Sequence, residues 1–493
     1  MSAADVAAWS GPVPSPEELG AVHFVGIGGA GMSGIARILL ARGVPVSGSD
    51  RRDTPTLLAL RALGARVELG HAEEHLGHAD TVVVSTAIRD DNPELSAARA
   101  RGLRVLPRAV ALASVMAGSR SVAVAGTHGK TSTTSMLTVA VQACGVDPSF
   151  AIGGDLNESG SNAHSGGGDI FVAEADESDR SFLLLAPFGG IVTNVEADHL
   201  DNYGDLAAVE AAFDRFLQTV SPDGFVVVCA DDTGSARLRG VPSPARLRTY
   251  GRAADADLRL EDLRVEGDAT SYTAVLDGTE LGRVRILVPG EHMALNSAAA
   301  LLAGLELGLP ADGLIDGLGR FGGVHRRFEL KGVVDGVRVY DDYAHHPTEV
   351  RAQLRAARAV AGDGRLVVAF QPHLYSRTRE FAAGFGEALG LADDVVVMEI
   401  YGAREDPVPG VTGAMVADAV PLPPGQVVFE PSWSAAAPAL AARARAGDLV
   451  MTMGAGDVSM VGPEVLEALT ARAAGRDGWD GEGKAGDATG AER

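Results

Sequence analysis

Short Val/Ile-rich runs ending in Gly, Asp or Thr alternate with Ala/Leu/Arg-rich segments of helical period, and this happens in three successive blocks. That alternation is the sequence form of the βαβ unit, whose parallel strands are buried on both faces and so read as unbroken apolar runs. The predicted fold class is therefore α/β with parallel sheets. The first block opens with "AVHFVGIGGAGMSG" and runs through "VPVSGSD" and "TVVVSTA" to "SVMAGS". The second opens with "SVAVAGTHGKTSTT", carries "IFVAEADESD", "GIVTNVEADHLD" and "FVVVCADD", and is interrupted near residues 250 to 290 by alternating, hairpin-like strands. The third runs from "VRVYDDYAHHP" through "RLVVAFQPH" and "DVVVMEIYG" to "DLVMTMGAGD". The boundaries fall at 1–118, 119–324 and 325–474. The polar, glycine-rich segment 475–493 has no periodicity and reads as a disordered tail.

Composition narrows the partners. A chain of 493 residues with 46% hydrophobic residues can bury several cores. A net charge of -23 repels nucleic-acid backbones and anionic membranes, so any phosphate must be held locally. The first twenty residues lack a basic region followed by an apolar stretch, and no run of about 18 apolar residues occurs anywhere. Cys144 and Cys229 sit in apolar runs that suit buried free thiols in a reducing compartment. The expectation is a cytoplasmic protein with no membrane insertion and no nucleic-acid partner.

Two glycine-rich turns carry the chemistry. Gly26, Gly28 and Gly31 form G-x-G-x-x-G after a strand, and Asp50 closes the next strand where a ribose-binding acid would stand. The physical content is a backbone that lets a diphosphate approach a helix N-terminus, so the motif suits a dinucleotide or a UDP-sugar alike. In the second block "GTHGKT" departs from the strict phosphate-loop pattern, since Val124 stands where a glycine is usual. Its context is still strand, turn, helix. The loop amides and Lys130 would face β- and γ-phosphates, and the Thr131 hydroxyl would bind Mg²⁺. Lysine occurs only at 130, 331 and 484, so Lys130 stands where the chain's usual arginine does not. Glu174 and His199 lie in acid clusters that end two later strands, where such groups act either as caps or as ligands of the hard cation. The doublet in "AHHPTE" does not make a zinc site, because adjacent histidines cannot both face one metal from a strand. "MGAGD" reads as a strand-to-helix turn.

"GIGGAGMSG", "GTHGKT", "EADESDRSFL", "TNVEADHLD", "HMALNSAAA", "HRRFE", "YDDYAHHPTEV", "FQPHLYSRTR" and "YGAREDPVPGVTG" together resemble the Mur ligase family, in order and over nearly the whole chain. The family's phosphate loop reads G-T-x-G-K-T, which accounts for Val124. The resemblance implies an N-terminal Rossmann-like domain for the UDP moiety, a central P-loop ATPase domain, and a C-terminal Rossmann-like ligase domain. It implies ATP-dependent joining of L-alanine to the lactyl carboxylate of UDP-N-acetylmuramate through an acyl phosphate, a step of peptidoglycan precursor synthesis. The competing activity within the family attaches a recycled tripeptide to the same sugar nucleotide. ATP and Mg²⁺ are the implied cofactors, and the expected assembly is a monomer or weak homodimer.

Roles follow from the matched positions. Gly28, Gly29, Ala30, Gly31, Met32, Ser33 and Asp50 would meet the UDP-sugar. Gly126, Thr127, His128, Gly129, Lys130, Thr131 and Ser132 would cradle ATP, with His292 and Asn296 at the adenine. The family commonly has asparagine where this chain has Met293, which predicts apolar packing there. Thr131 and Glu174 would hold one Mg²⁺ and His199 a second, with Lys130 on the transferring phosphoryl group. Arg327 would reach an ATP phosphate and Asp342 the ribose. Tyr343, His345, His373 and Arg377 would form the alanine pocket, the guanidinium pairing bidentately with a carboxylate. Two readings from other classes compete: an NAD-dependent oxidoreductase, which leaves Lys130 and the acid clusters without work, and a non-enzymatic nucleotide-gated protein, which leaves Arg377 without work.

Overall fold

The computed structural model describes Trp9 and residues 11–157, 160–403 and 405–480. The chain divides into two compact units, one chiefly of residues before Arg326 and one chiefly of residues from Arg326 onward.

The first unit holds two sheets. A five-stranded parallel sheet contains β1 (Val22–Val25), β2 (Val46–Asp50), β3 (Arg66–Leu69), β4 (Thr81–Val84) and β5 (Arg104–Pro107), in the order β3-β2-β1-β4-β5. Every residue of β1 and β4 is buried, as a strand covered on both faces requires. The second sheet has ten strands. They are β6 (Arg120–Ala125), β7 (Ser149–Ala151), β8 (Ala163–His164), β9 (Ile170–Glu174), β10 (Gly189–Val192), β11 (Phe225–Cys229), β12 (Arg246–Gly251), β13 (Leu258–Glu266), β14 (Ala269–Leu276) and β15 (Thr279–Ile286). Their order is β15-β14-β13-β12-β11-β10-β6-β9-β7-β8, with β14 and β15 forming the antiparallel hairpin expected after residue 250.

This order positions the site. β6 lies between β9 and β10, with Val124 opposite Glu174 and Ala125 opposite Val192. The loop after β6 is therefore flanked by the carboxyl ends of both acid-bearing strands, which is where open α/β sheets form ligand crevices. One continuous core runs from Leu19, Phe24 and Leu39 of the first sheet to Phe171, Phe182, Phe213 and Phe216 of the second.

The second unit is a six-stranded sheet of β16 (Glu329–Val334), β17 (Val337–Asp342), β18 (Leu366–Phe370), β19 (Asp394–Met398), β20 (Val427–Glu430) and β21 (Leu449–Met453), in the order β16-β17-β21-β18-β19-β20. Only β16 runs antiparallel, to β17. The ends of β17, β21 and β18 are neighbours, so "DDYAHH", "MGAGD" and "FQPH" meet along one edge. Gly454 N donates to Asp342 O at 3.1 Å, and Gln371 N to Met453 O at 3.0 Å. "MGAGD" is a strand-to-helix turn as expected, closed by Gln371, whose Nε2 donates to Asp457 Oδ1 and whose Oε1 accepts from Val458 N.

Two expectations are corrected. The last helix, Val461–Asp480, runs six residues into the segment read as a disordered tail, because each residue added to a helix already packed by its first turns gains a hydrogen bond. The remainder of that tail, 481–493, lies outside the described residues. Both cysteines are free thiols, but only Cys229 is buried, Cys144 being half-exposed at a helix end. Among the described residues no helix is long and apolar enough to cross a membrane.

Candidate active site

The phosphate loop is built from two glycines and a brace. Gly126 has φ 134° and Gly129 φ 81°, both in the region that favours glycine. A Cβ on Gly126 would stand 1.9 Å from Thr193 Oγ1, and one on Gly129 2.6 Å from Asn296 Oδ1. The brace comes from the residues after β10. Thr193 Oγ1 donates to His128 O at 2.6 Å, Asn194 Oδ1 accepts from His128 N at 2.8 Å, and Glu196 N donates to Thr127 Oγ1 at 2.9 Å. Thr127 and the His128 amide are thus engaged in holding the loop. Ser132 is buried at the start of the helix Lys130–Ala143. "TNVE" is therefore more than the front of an acid cluster, since its first residues shape the loop.

Lys130 closes its own cradle. Its Nζ donates to Gly126 O at 2.8 Å and Thr127 O at 3.1 Å and pairs with Glu177 Oε2 at 2.8 Å. Burial works against the ammonium, but the carboxylates of Glu177, Asp176 and Glu174 outweigh it and hold the Lys130 pKa above its ordinary value. Burial likewise pushes the Glu177 carboxyl up despite the attraction of Lys130. Glu177 also lies 3.7 Å from His199 Nε2. Sequence reasoning missed Glu177, although it stands three residues after Glu174 in the same motif. His199 adopts the left-handed conformation, φ 53°, at the start of the short helix Leu200–Tyr203, with Asp198 Oδ2 3.6 Å from its Nε2. The left-handed backbone aims the ring back at the loop's acids.

Thr131 Oγ1 donates to Glu174 Oε2 at 2.9 Å, and Gly153 N donates to the same oxygen at 2.9 Å. A hydroxyl and a carboxylate oxygen side by side next to a phosphate loop fit a hard divalent cation, which takes oxygen ligands. On the helix Glu291–Glu306, His292 and Asn296 are one turn apart and share a face. Met293 is 2% exposed, and Asn296 Nδ2 lies 3.8 Å from its Sδ.

At the glycine turn of the first sheet, Gly28 N donates to Asp50 Oδ2 at 2.9 Å, and Gly29 precedes the helix Ala30–Ala41. Met32 and Ser33 are buried, and the Ser33 hydroxyl donates to Ala30 O. The Met32 and Ser33 amides both donate to Gly29 O, at 3.0 and 2.8 Å. A cleft of about 90 Å³ lies beside it, lined by Gly31, Ile35, Arg108, Gly153, Glu174 and Asp176 among others. The end of the glycine turn and Glu174 of the metal-suited pair therefore line one cavity.

In the second unit the four expected amino-acid-binding residues come together. The Tyr343 and His345 rings are 5.2 Å apart and His345 and His373 5.8 Å. Arg377, 7% exposed, lies one helical turn after His373 and places Nη1 3.5 Å from its Nδ1. Tyr401, unforeseen from sequence, stacks on His373 at 5.9 Å. The twin arginines of "HRRFE" divide their work. Arg326 is consumed by the fold, donating to Asp341 Oδ2, Gly454 O and Gly456 O. Arg327 rests its guanidinium 5.1 Å from the Tyr343 ring centre. Asp342 has no exposed surface, and its two oxygens accept from Phe328 N and Ala344 N at 2.8 Å each. Its carboxylate faces these loop amides.

Burial raises Asp342 to about 7, against the pull of Arg327 and the two amides. A carboxyl that keeps its proton to about pH 7 when folded and releases it near 3.8 when unfolded loses stability as pH rises between those values. The melting temperature is expected to fall across that window and to flatten above it. Asp342→Asn should melt lower throughout but without this slope; a parallel slope in the variant would place the titration elsewhere.

Comparison with known proteins follows the same lines. Residues 21–120 match the description "Mur ligase family, catalytic domain", 124–304 "Mur ligase middle domain", and 326–456 "Mur ligase, glutamate ligase domain". The UDP-N-acetylmuramate–L-alanine ligase of Saccharopolyspora erythraea is 62% identical over 453 residues, 90% of this chain and 92% of that one. That of Acidothermus cellulolyticus is 60% identical, covering 94% and 97%. The crystal structure of the UDP-N-acetylmuramate-alanine ligase MurC from Thermotoga maritima superposes with a TM-score of 0.76 at 29% identity, covering 92% of this chain and 99% of that one. With the phosphate loop, its acid-bearing neighbours and all three domain descriptions in place, the chain belongs to the Mur ligase family.

Proposed function

We propose that the protein joins L-alanine to the lactyl carboxylate of UDP-N-acetylmuramate with conversion of ATP to ADP and phosphate. The observation that carries this reading is the cavity lined by both the end of the glycine turn and Glu174, the carboxylate paired with Thr131, in a chain whose relatives at 52–62% identity bear that ligase's name. The same relatives favour alanine over a recycled tripeptide.

The chemistry needs activation because an amine cannot displace oxide from a carboxylate. The carboxylate first takes the γ-phosphoryl group, and the acyl phosphate is then attacked by the amine, expelling phosphate. Lys130 neutralises charge on the transferring group, which requires its Nζ to leave the carbonyls of Gly126 and Thr127. Glu177 keeps that ammonium and the His199 ring in place. Mg²⁺, held by Thr131 and Glu174 with His199 at a second ion, would supply charge neutralisation for the phosphoryl oxygens. Alanine's carboxylate would pair with Arg377 while Tyr343, His345 and His373 enclose the small side chain. The enzyme would work in the cytoplasm as a monomer or weak homodimer, with 1–118 serving the UDP-sugar, 119–324 ATP, and 325–474 the amino acid.

ATP-dependent amide formation with UDP-N-acetylmuramate and a panel of amino acids plus the tripeptide tests this. Alanine-dependent ADP release is expected; preference for the tripeptide would overturn it. Arg377→Ala should raise the alanine KM by roughly tenfold to a thousandfold, with the UDP-sugar KM nearly unchanged. Equal losses for both substrates would assign Arg377 a folding role.

A further inference from the structure

Arg108 begins the helix Arg108–Met116 and is the one cation lining the cleft, whose lining also includes Glu174 and Asp176. Nothing in the sequence marked it. Its side chain is 20% exposed, and its one hydrogen bond among the described residues runs from Nη2 to Asp176 Oδ2 at 3.3 Å. That contact is long and single for an arginine–carboxylate pair, which is normally bidentate at about 2.7–2.9 Å. Arg326, by comparison, makes three side-chain contacts at 2.7–3.2 Å. A guanidinium has five N–H donors, so most of those of Arg108 have no acceptor among the described residues.

Gly31 explains where they point. A Cβ there would stand 2.8 Å from Arg108 Nη1, so the missing side chain leaves the guanidinium against the first turn of the helix Ala30–Ala41. The last glycine of the G-x-G-x-x-G pattern thus makes room for an arginine as well as for a phosphate. Asp176, with its side chain 40% exposed, is a loose counter-ion. In a protein of net charge -23, an incoming diphosphate needs a local cation, and the helix N-terminus supplies only partial charge.

Resting on the function proposed above, we propose that Arg108 grips the diphosphate of the UDP-sugar, and that Asp176 holds the guanidinium in place until that ligand arrives. The planar fork suits two phosphate oxygens at once, and the exchange of a long, single carboxylate contact for a bidentate phosphate contact favours binding. Asp176 then competes with the ligand. This gives the two partners of the ion pair opposite effects when each is removed.

The experiment is equilibrium titration of UDP, UMP and UDP-N-acetylmuramate into the wild-type protein, Arg108→Ala, Arg108→Lys and Asp176→Asn, with melting curves for each. Arg108→Ala should weaken UDP and UDP-N-acetylmuramate by about tenfold to a hundredfold and UMP by much less. Arg108→Lys should retain part of the affinity. Asp176→Asn should bind UDP as tightly as wild type or tighter. An Asp176→Asn variant that loses affinity in step with Arg108→Ala would show that the pair only supports the fold and would overturn the proposal. So would unchanged UDP affinity in folded Arg108→Ala, or a loss confined to UDP-N-acetylmuramate, which would move Arg108 to the sugar or lactyl group. Wild-type protein that binds neither UDP nor UDP-N-acetylmuramate would refute the proposed function itself.

Discussion

Replacing Lys130 by arginine should lower kcat by at least about a hundredfold, although the charge is kept and arginine is this chain's habitual cation. The ammonium fits among Gly126 O, Thr127 O and Glu177, three acceptors within 3.1 Å of one nitrogen. A planar guanidinium cannot place one nitrogen at the centre of such a cradle without displacing loop or ligand. A shift near 1 Å at a phosphoryl-transfer site costs about a hundredfold, since catalysis there is positioning and electrostatics. Arginine still pairs with Glu177, so the melting temperature should drop by no more than a few degrees. Single-turnover rates and melting curves of the two proteins decide the matter. Activity within about tenfold of wild type would reduce Lys130 to a counter-charge.

A larger effect is expected at Gly126. In Gly126→Ala the new methyl would meet Thr193 Oγ1 at 1.9 Å and Thr193 N at 3.0 Å, on a backbone at φ 134° that an alanine rarely adopts. Thr193 cannot yield without consequence, because its hydroxyl donates to His128 O and its amide to Ala125 O, and those contacts hold the loop to β10. Nucleotide affinity is expected to fall at least about a hundredfold and the melting temperature by several degrees, the strain and the lost brace together amounting to about 3 kcal/mol or more. The double variant Gly126→Ala/Thr193→Ala removes the clashing oxygen and should recover part of the melting temperature but little of the affinity, since the brace is still absent. Full affinity in the single variant would show that the loop re-forms around a side chain.

Much of this protein is legible in its amino-acid order. Strands such as "TVVV", "FVVVC" and "DVVVM" are buried throughout and apolar at all but a first residue because helices cover both faces of their sheets, so composition along a short window already reports parallel α/β layers. Gly126, Gly129 and Lys130 are legible for a related reason: their backbone turn is local, and two of the acceptors of Lys130, Gly126 O and Thr127 O, lie within four residues of it. Glu177 and Arg108 are not. The first looks like one more carboxylate in a run of acids, and only its burial beside Lys130 separates it from its neighbours. The second is one arginine among many in the chain, standing at the start of an otherwise largely apolar helix.

The residues alone settle a set of local geometries: strand, glycine turn, helix start, and the side-chain types able to handle phosphate and a hard cation. Which of the acids are used, and for what, is settled by packing. Strand order inserts β6 between β9 and β10, so Glu174 reaches Thr131 from one side while Thr193 and Asn194 brace the loop from the other. In the second unit, the adjacency of β17, β21 and β18 engages Arg326 in the fold and buries Asp342. The physical reason is range. Backbone conformation follows from neighbours in the chain, whereas burial, ion pairing and the pKa of a carboxyl depend on groups brought alongside from tens of residues away.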